Sequence, residues 1–276
     1  MDVKQNFHTH TLFCDGQNTP EEMVRAAIDK GMTDLGFSGH SYTSFDEVPC
    51  MSRKGTGEYI AEIAGLKSEY KDEINILCGV EQDFYSCADT SPYDFVIGSV
   101  HYLCPGKDIY ISVDDTIEKL KKTIDDFYDS DPYAYAADYF DTVAEVVDET
   151  QCDFIGHFDL ISKFNEIEKL FEETDPRYIA SWQYAMDRLI ATERPIEINT
   201  GAISRGYRTA PYPSESMLKR WRELGGEIII SSDAHSADAI DFAFGDAVEL
   251  AKSVGYTKRI CLTAGNGRIR KISLPI

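Results

Sequence analysis

The run Ile228-Ile229-Ile230-Ser231-Ser232-Asp233-Ala234-His235 decides the reading of the fold. Residues 227–232 read as a short apolar strand. Beyond it stand an aspartate and a histidine two residues apart, which on extended backbone share one face. A helical pattern precedes the strand (Ser214–Leu224) and another follows it (Ala239–Ser253).

The same unit recurs along the chain. Asn6–His8 ends a first strand, Asp34–Ser38 a second that stops at Gly39-His40, and Ile74–Glu81 a third. Phe95–His101, Phe154–His157 and Pro195–Asn199 follow, with Arg259–Leu262 as a last strand. Helices are expected at Glu58–Lys71 and Tyr178–Thr192 and after Thr19-Pro20-Glu21-Glu22, where Thr19 caps, Pro20 suits the first turn, Glu22 completes a capping box and Gly31 ends the helix. Strands alternating with helices predict a parallel sheet. The number of units favours a closed α/β barrel, with an open sheet as the alternative. The chain, 1–276, reads as one domain with an acidic helical insertion at about 107–150, carrying helices at Asp114–Tyr128 and Tyr133–Glu149.

The 276 residues carry 48 acidic and 27 basic side chains, a formal charge of −21. Such a surface repels nucleic-acid backbones and anionic membranes, so neither is expected as a partner. An acidic protein that handles phosphate must create positive charge locally, and bound metal would do so. The seven cysteines are odd in number and form no CxxC, which fits reduced thiols in the cytoplasm better than a disulfide framework. The opening residues 1–5 hold no signal-peptide apolar run, and no apolar stretch approaches the length of a membrane span.

The six histidines carry the chemistry. His8, His10, His40, His101, His157 and His235 all sit at or just past the end of a predicted strand. In a barrel those ends face a common mouth. One histidine so placed is ordinary; six of six is not. His8-Thr9-His10 puts two imidazoles on one strand face, and Asp15 follows in a loop before Gly16. Glu81 closes the apolar run 76–80, where a carboxylate is costly unless paired or bound to metal; Asp83 lies two residues further out. With Asp233 the set is six His, two Asp and one Glu. Nitrogen and carboxylate ligands suit zinc, manganese or iron. Nine ligands exceed what one ion can use, so two or three divalent ions with a bridging carboxylate are expected.

The series His8-Thr9-His10…Asp15, Gly39-His40, Gly79-Val80-Glu81, Ser99-Val100-His101, Gly156-His157 and Ser232-Asp233-Ala234-His235 resembles the polymerase-and-histidinol-phosphatase (PHP) superfamily. The blocks Gly98–Tyr102, Gly156–Ile161, Glu197-Ile198-Asn199-Thr200-Gly201, Arg205-Gly206-Tyr207 and Pro211-Tyr212-Pro213 resemble its histidinol-phosphatase branch. The resemblance implies a distorted (β/α)7 barrel with a trinuclear metal site at the C-terminal strand ends. It implies His8, His10, Glu81 and Asp233 around a first ion, Asp15, His40 and His235 around a second, and Glu81 bridging to a third completed by His101 and His157. Cys14 departs from the family, which more often has Ser before the motif aspartate.

The activity implied is hydrolysis of L-histidinol phosphate to L-histidinol and phosphate, in histidine biosynthesis. Another small phosphate mono- or diester is an alternative within the superfamily, and an amidohydrolase one outside it. Asp233 is expected to carry the proton to the leaving oxygen and Glu81 to bridge the ions. Arg205, just past a strand, and Lys163, six residues after His157, are the candidate phosphate ligands; Arg53, in the loop 51–55, is a further one.

Overall fold

Strand and helix alternate along the chain in the computed structural model, which describes residues 3–46, 48–265 and 268–276. The first half holds β1 (Gln5–Asn6), α1 (Pro20–Asp29), β2 (Asp34–Phe37), α2 (Arg53–Glu69), β3 (Asn75–Asp83) and β4 (Phe95–Ser99). A hairpin of β5 (Tyr102–Gly106) and β6 (Ile109–Ser112) follows, then α3 (Ile117–Phe127), α4 (Pro132–Ala144) and α5 (Val146–Thr150). The alternation resumes with β7 (Phe154–Ile155), α6 (Pro176–Leu189), β8 (Ile196–Asn199), α7 (Gly201–Ser204), α8 (Glu215–Glu223), β9 (Ile228–Ser231) and α9 (Phe244–Ser253). A second hairpin, β10 (Lys258–Gly265) with β11 (Arg268–Pro275), ends the chain.

Seven strands form one parallel sheet in the order β1-β2-β3-β4-β7-β8-β9. Its two edges meet beyond the ends of β1 and β9. There Thr9 and Ala234 form a parallel bridge, His10 N donates to Ala234 O at 2.8 Å, and Ala234 N donates to His8 O at 3.1 Å. The result is a nearly closed α/β barrel of seven strands, not an open sheet. It is distorted: the connection from β3 to β4 carries no helix, and two of its strands are only two residues long.

Local chemistry explains the element boundaries. Thr19 Oγ1 accepts Glu22 N at 3.3 Å and Glu22 Oε2 accepts Thr19 N at 2.8 Å, the capping box read from the sequence. Gly31, at φ +70°, takes the left-handed position that ends α1. Helix α2 starts at Arg53, earlier than its apolar spacing indicated, because Ser52 Oγ accepts Gly55 N at 3.0 Å and caps it. Between β4 and β7 the acidic segment forms α3 and then α4, whose Phe140 packs on Tyr178 of α6. The last strand expected from the sequence corresponds to β10, but it pairs antiparallel with β11 and stays outside the barrel sheet.

Beneath the mouth, Phe7, Leu77, Phe95, Ile97, Phe154 and Ile229 form a small apolar cluster that Cys261 and Leu262 of β10 complete. Leu77, Gly79 and Glu81 share one face of β3, so this cluster is the floor under Glu81. The Phe95 ring needs room there, and glycine supplies it: a Cβ at Gly79 would lie 2.3 Å from the ring. Gly79→Ala is therefore expected to destabilise the fold by about 1–3 kcal/mol through overpacking. Chemical denaturation checks this; an unchanged midpoint would show that the floor is not tightly filled.

Candidate metal centre

Each strand end delivers its side chain to one place. The bridge that closes the barrel sets His8 and His10 beside Asp233. His40 and Glu81 form a second bridge just past β2. His101 N donates to Asp83 Oδ2 at 2.9 Å, and His157 N donates to Glu197 Oε2 at 2.9 Å, which fixes where β4 and β7 release their histidines. Asp233 sits at φ 49°, a left-handed position that costs a non-glycine residue about 1–3 kcal/mol. Gly201 accommodates it, since a Cβ there would lie 2.6 Å from Asp233 Oδ2.

Glu81 is the hub. Its Oε1 stands 2.9 Å from His157 Nε2 and 3.3 Å from His101 Nε2, and it accepts Ser99 Oγ at 2.7 Å. Its Oε2 stands 3.0 Å from His40 Nδ1, 3.2 Å from His8 Nε2 and 3.5 Å from His10 Nε2. Asp233 Oδ1 lies 3.2 Å from His10 Nε2 and 3.6 Å from His8 Nε2. Asp15 Oδ2 lies 3.2 Å from His235 Nε2 and 3.6 Å from His40 Nε2. All nine side chains singled out in the sequence therefore meet.

This donor set fits divalent metal. His8 Nε2, His10 Nε2 and Glu81 Oε2, which face one another at the cluster, are buried with no hydrogen-bond partner, which leaves polar atoms costly unless something takes them. Three groups have converging ligand atoms: His8, His10 and Asp233; His10, Asp15, His40 and His235; and His40, Glu81 and His101. His10 and His40 each belong to two of them, so the cluster is more interlocked than the resemblance implied.

The electrostatics tell the same story. Burial works against a charged His8, yet Glu197, Glu81 and Asp233 outweigh it and hold the imidazole at about 10. Burial likewise opposes His101, and Glu81 and Asp83 carry it to about 9. Burial disfavours charge on Glu81 and Asp233, but the imidazoles, and Arg205 beside Asp233, keep both carboxyls well below their ordinary range. Burial, His10 and Arg205 push His235 down. The carboxylates hold protons on rings that a metal would claim.

Of the candidate phosphate ligands, Arg205 reaches the mouth. Its Nη2 donates to Asp233 Oδ2 and its Nη1 to Asp233 O, both at 3.0 Å. Lys163 Nζ donates to Asp114 O at 2.9 Å and to Asp114 Oδ2 at 3.0 Å, at the edge of the same cavity. Arg53 heads α2 instead of lying in a loop, with its guanidinium 4.4 Å over the Tyr42 ring, and it lines neither cavity at the mouth. Two further carboxylates stand behind the cluster: Asp83, the near alternative to Glu81 in the sequence, and Glu197, which the sequence reading does not single out as a site residue. Asp83 Oδ2 lies 3.4 Å from His101 Nδ1, and Glu197 Oε1 lies 2.7 Å from His8 Nδ1. Glu197 carried the signal that marked Glu81, an acid in an apolar strand.

The family model for the PHP domain matches residues 6–201, most of the chain. The chain belongs to the PHP domain family. It is 28% identical to a Deinococcus radiodurans protein named "Probable histidinol-phosphatase", over 90% of this chain and 92% of that one. It is 26% identical to the histidinol-phosphatase of Bacillus subtilis, over 87% and 97% respectively. Among solved structures, the fold is similar to histidinol phosphate phosphatase from Lactococcus lactis, complexed with zinc, L-histidinol and phosphate. That match has a TM-score of 0.74 at 24% identity and covers 97% of this chain and 99% of that one.

A metal bound at this cluster would have to displace the protons held on His8, at about 10, and His101, at about 9. Zinc uptake should therefore release protons, and apparent zinc affinity should climb with pH until about 9–10. The sign reverses for the metal-free fold. Raised imidazoles stabilise it fully below their ordinary 6.5, and that stability is lost as pH rises through 9 to 10. Titrations at several pH values check this; an affinity that does not change between about pH 7 and 9 would contradict it.

Proposed function

We propose that this protein is a metal-dependent histidinol-phosphatase, hydrolysing L-histidinol phosphate to L-histidinol and phosphate in histidine biosynthesis. One observation carries the reading: two adjoining cavities share the cluster, and both candidate phosphate ligands line the smaller one. The smaller, about 150 Å³, lies against His157, Asp233 and His235 and holds Arg205 and Lys163, which suits a phosphoryl group. The larger, about 420 Å³, opens on His40, Glu81 and His101 and runs out past Asp46, Asp114 and Asp115. Its one lysine or arginine, Lys119, is paired with Asp115. An acidic cavity favours an alcohol bearing positive charge, as histidinol does through its ammonium group. The curated relatives' names and their near-full-length coverage support the same substrate.

The residues that would hold two to three ions of zinc, manganese or iron are His8, His10, Asp15, His40, Glu81, His101, His157, Asp233 and His235, with Glu81 at their centre. Such ions lower the pKa of water from 15.7 to about 7 and neutralise phosphoryl charge. Asp233 is the proton carrier. It accepts a proton as the new phosphorus–oxygen bond forms, and returns one to the ester oxygen as the old bond breaks. Arg205 orients Asp233 from one side and presents its remaining N–H groups to a phosphoryl oxygen. Lys163 adds a second cation, held by Asp114. An amidohydrolase would want a lysine bridging its ions; Lys163 is instead engaged by Asp114. All seven cysteines are free, which supports the cytoplasm as the compartment. Among the described residues no helix is long and apolar enough to cross a membrane.

Phosphate release from L-histidinol phosphate, compared with uncharged and anionic monoesters under defined zinc or manganese, tests the reading. A clear preference for histidinol phosphate is expected; equal rates on all esters would leave only a general phosphatase. Asp233→Asn should cut kcat by about 10²–10⁴ while the fold persists, and near-normal turnover would remove Asp233 from proton transfer. Lys163→Ala should chiefly raise KM. Arg205→Ala should lower kcat as well, because it also frees Asp233; a KM unchanged in both variants would put the phosphate elsewhere.

A further inference from the structure

Behind His8, away from both cavities, stands Glu197 on β8. Its side chain is fully buried, and every contact it makes is to the site's scaffold. Oε1 lies 2.7 Å from His8 Nδ1. Oε2 accepts His157 N at 2.9 Å and Asn199 Nδ2 at 2.8 Å. Burying a carboxylate costs several kcal/mol unless its lone pairs are taken, and here both oxygens are used. Glu197 lines neither cavity, so it meets neither substrate nor solvent.

We propose that Glu197 is a positioning residue that makes His8 a metal ligand of one fixed tautomer. By accepting the Nδ1 proton it turns Nε2, which has no hydrogen-bond partner, toward Glu81 Oε2 at 3.2 Å and Asp233 Oδ1 at 3.6 Å. A ring nitrogen whose partner N–H is given to a carboxylate is the more basic ligand. The second oxygen ties the start of the His157 loop to the same group. One buried side chain thus sets two ligands on opposite sides of Glu81. The inference rests on reading His8 as a metal ligand.

Zinc affinity, measured by competition with a chromogenic chelator, tests it in Glu197→Gln. Glutamine has one acceptor oxygen and cannot serve both His8 Nδ1–H and His157 N–H. Its zinc affinity should fall about 10- to 100-fold, with the circular-dichroism spectrum of the metal-free protein unchanged. A second measurement needs no variant. In zinc-loaded wild-type protein labelled with ¹⁵N-histidine, His8 should show a protonated Nδ1 and a metal-coordinated Nε2. Zinc coordinated at Nδ1, or a Nδ1 without a proton, would overturn the inference even if Glu197→Gln did not fold. Wild-type protein that takes up no zinc overturns both this and the metal reading. Normal uptake with a Glu197→Gln affinity within about twofold of wild type overturns this one alone.

Discussion

A single buried carboxylate, Glu81, stands within 3.5 Å of five imidazole rings, and the rest of the molecule is arranged to keep it ionised at that depth. A lone carboxylate buried above an apolar floor would be neutral or would not be there. The rings also crowd one another, with His10 and His40 centred 4.5 Å apart, and like charges that close repel. Shared divalent cations would resolve both conflicts, supplying positive charge to Glu81, Asp233 and Asp15 and taking lone pairs of the imidazoles. The barrel brings the strand ends together, and Gly79 and Gly201 remove the side chains that would obstruct Phe95 and Asp233.

Much of this was legible in the sequence, for a physical reason. Histidine and acid at the ends of short apolar runs are costly and rare, so their repetition marks one mouth. The capping box at Thr19 and the β-strand runs were legible because they depend on neighbours in the chain. What escaped depends on partners far away. β10 reads as a barrel strand by composition, yet its partner is β11, a choice that no local pattern records. The β5–β6 hairpin in Tyr102–Ser112 has no counterpart among the expected elements, because its pairing shifts register between Leu103 and Gly106 and so lacks a clean alternation.

The site shows the same division. Asp15 lies in a loop, and the other eight of the nine clustered residues stand at or just past strand ends, which periodicity finds. The groups behind them do not. Asp83 looked too far out because β3 was expected to stop at Glu81, whereas it continues to Asp83 and buries it against His101. Glu197 was visible as an acid among isoleucines, but its partner lies 189 residues away, and only the closed barrel brings the two together. Charge follows the same logic. The chain carries −21 overall, yet the smaller cavity at the mouth gathers Arg205 and Lys163 beside the cluster, held by Asp233 and Asp114.

Anomalous diffraction from crystals of the zinc-loaded protein tests the central claim most directly. The account predicts at least two peaks at the mouth, with Glu81 oxygens about 2.0–2.2 Å from zinc and His8, His157 and Asp233 in the surrounding shells. A single peak remote from Glu81, or none among these strand ends, would contradict it.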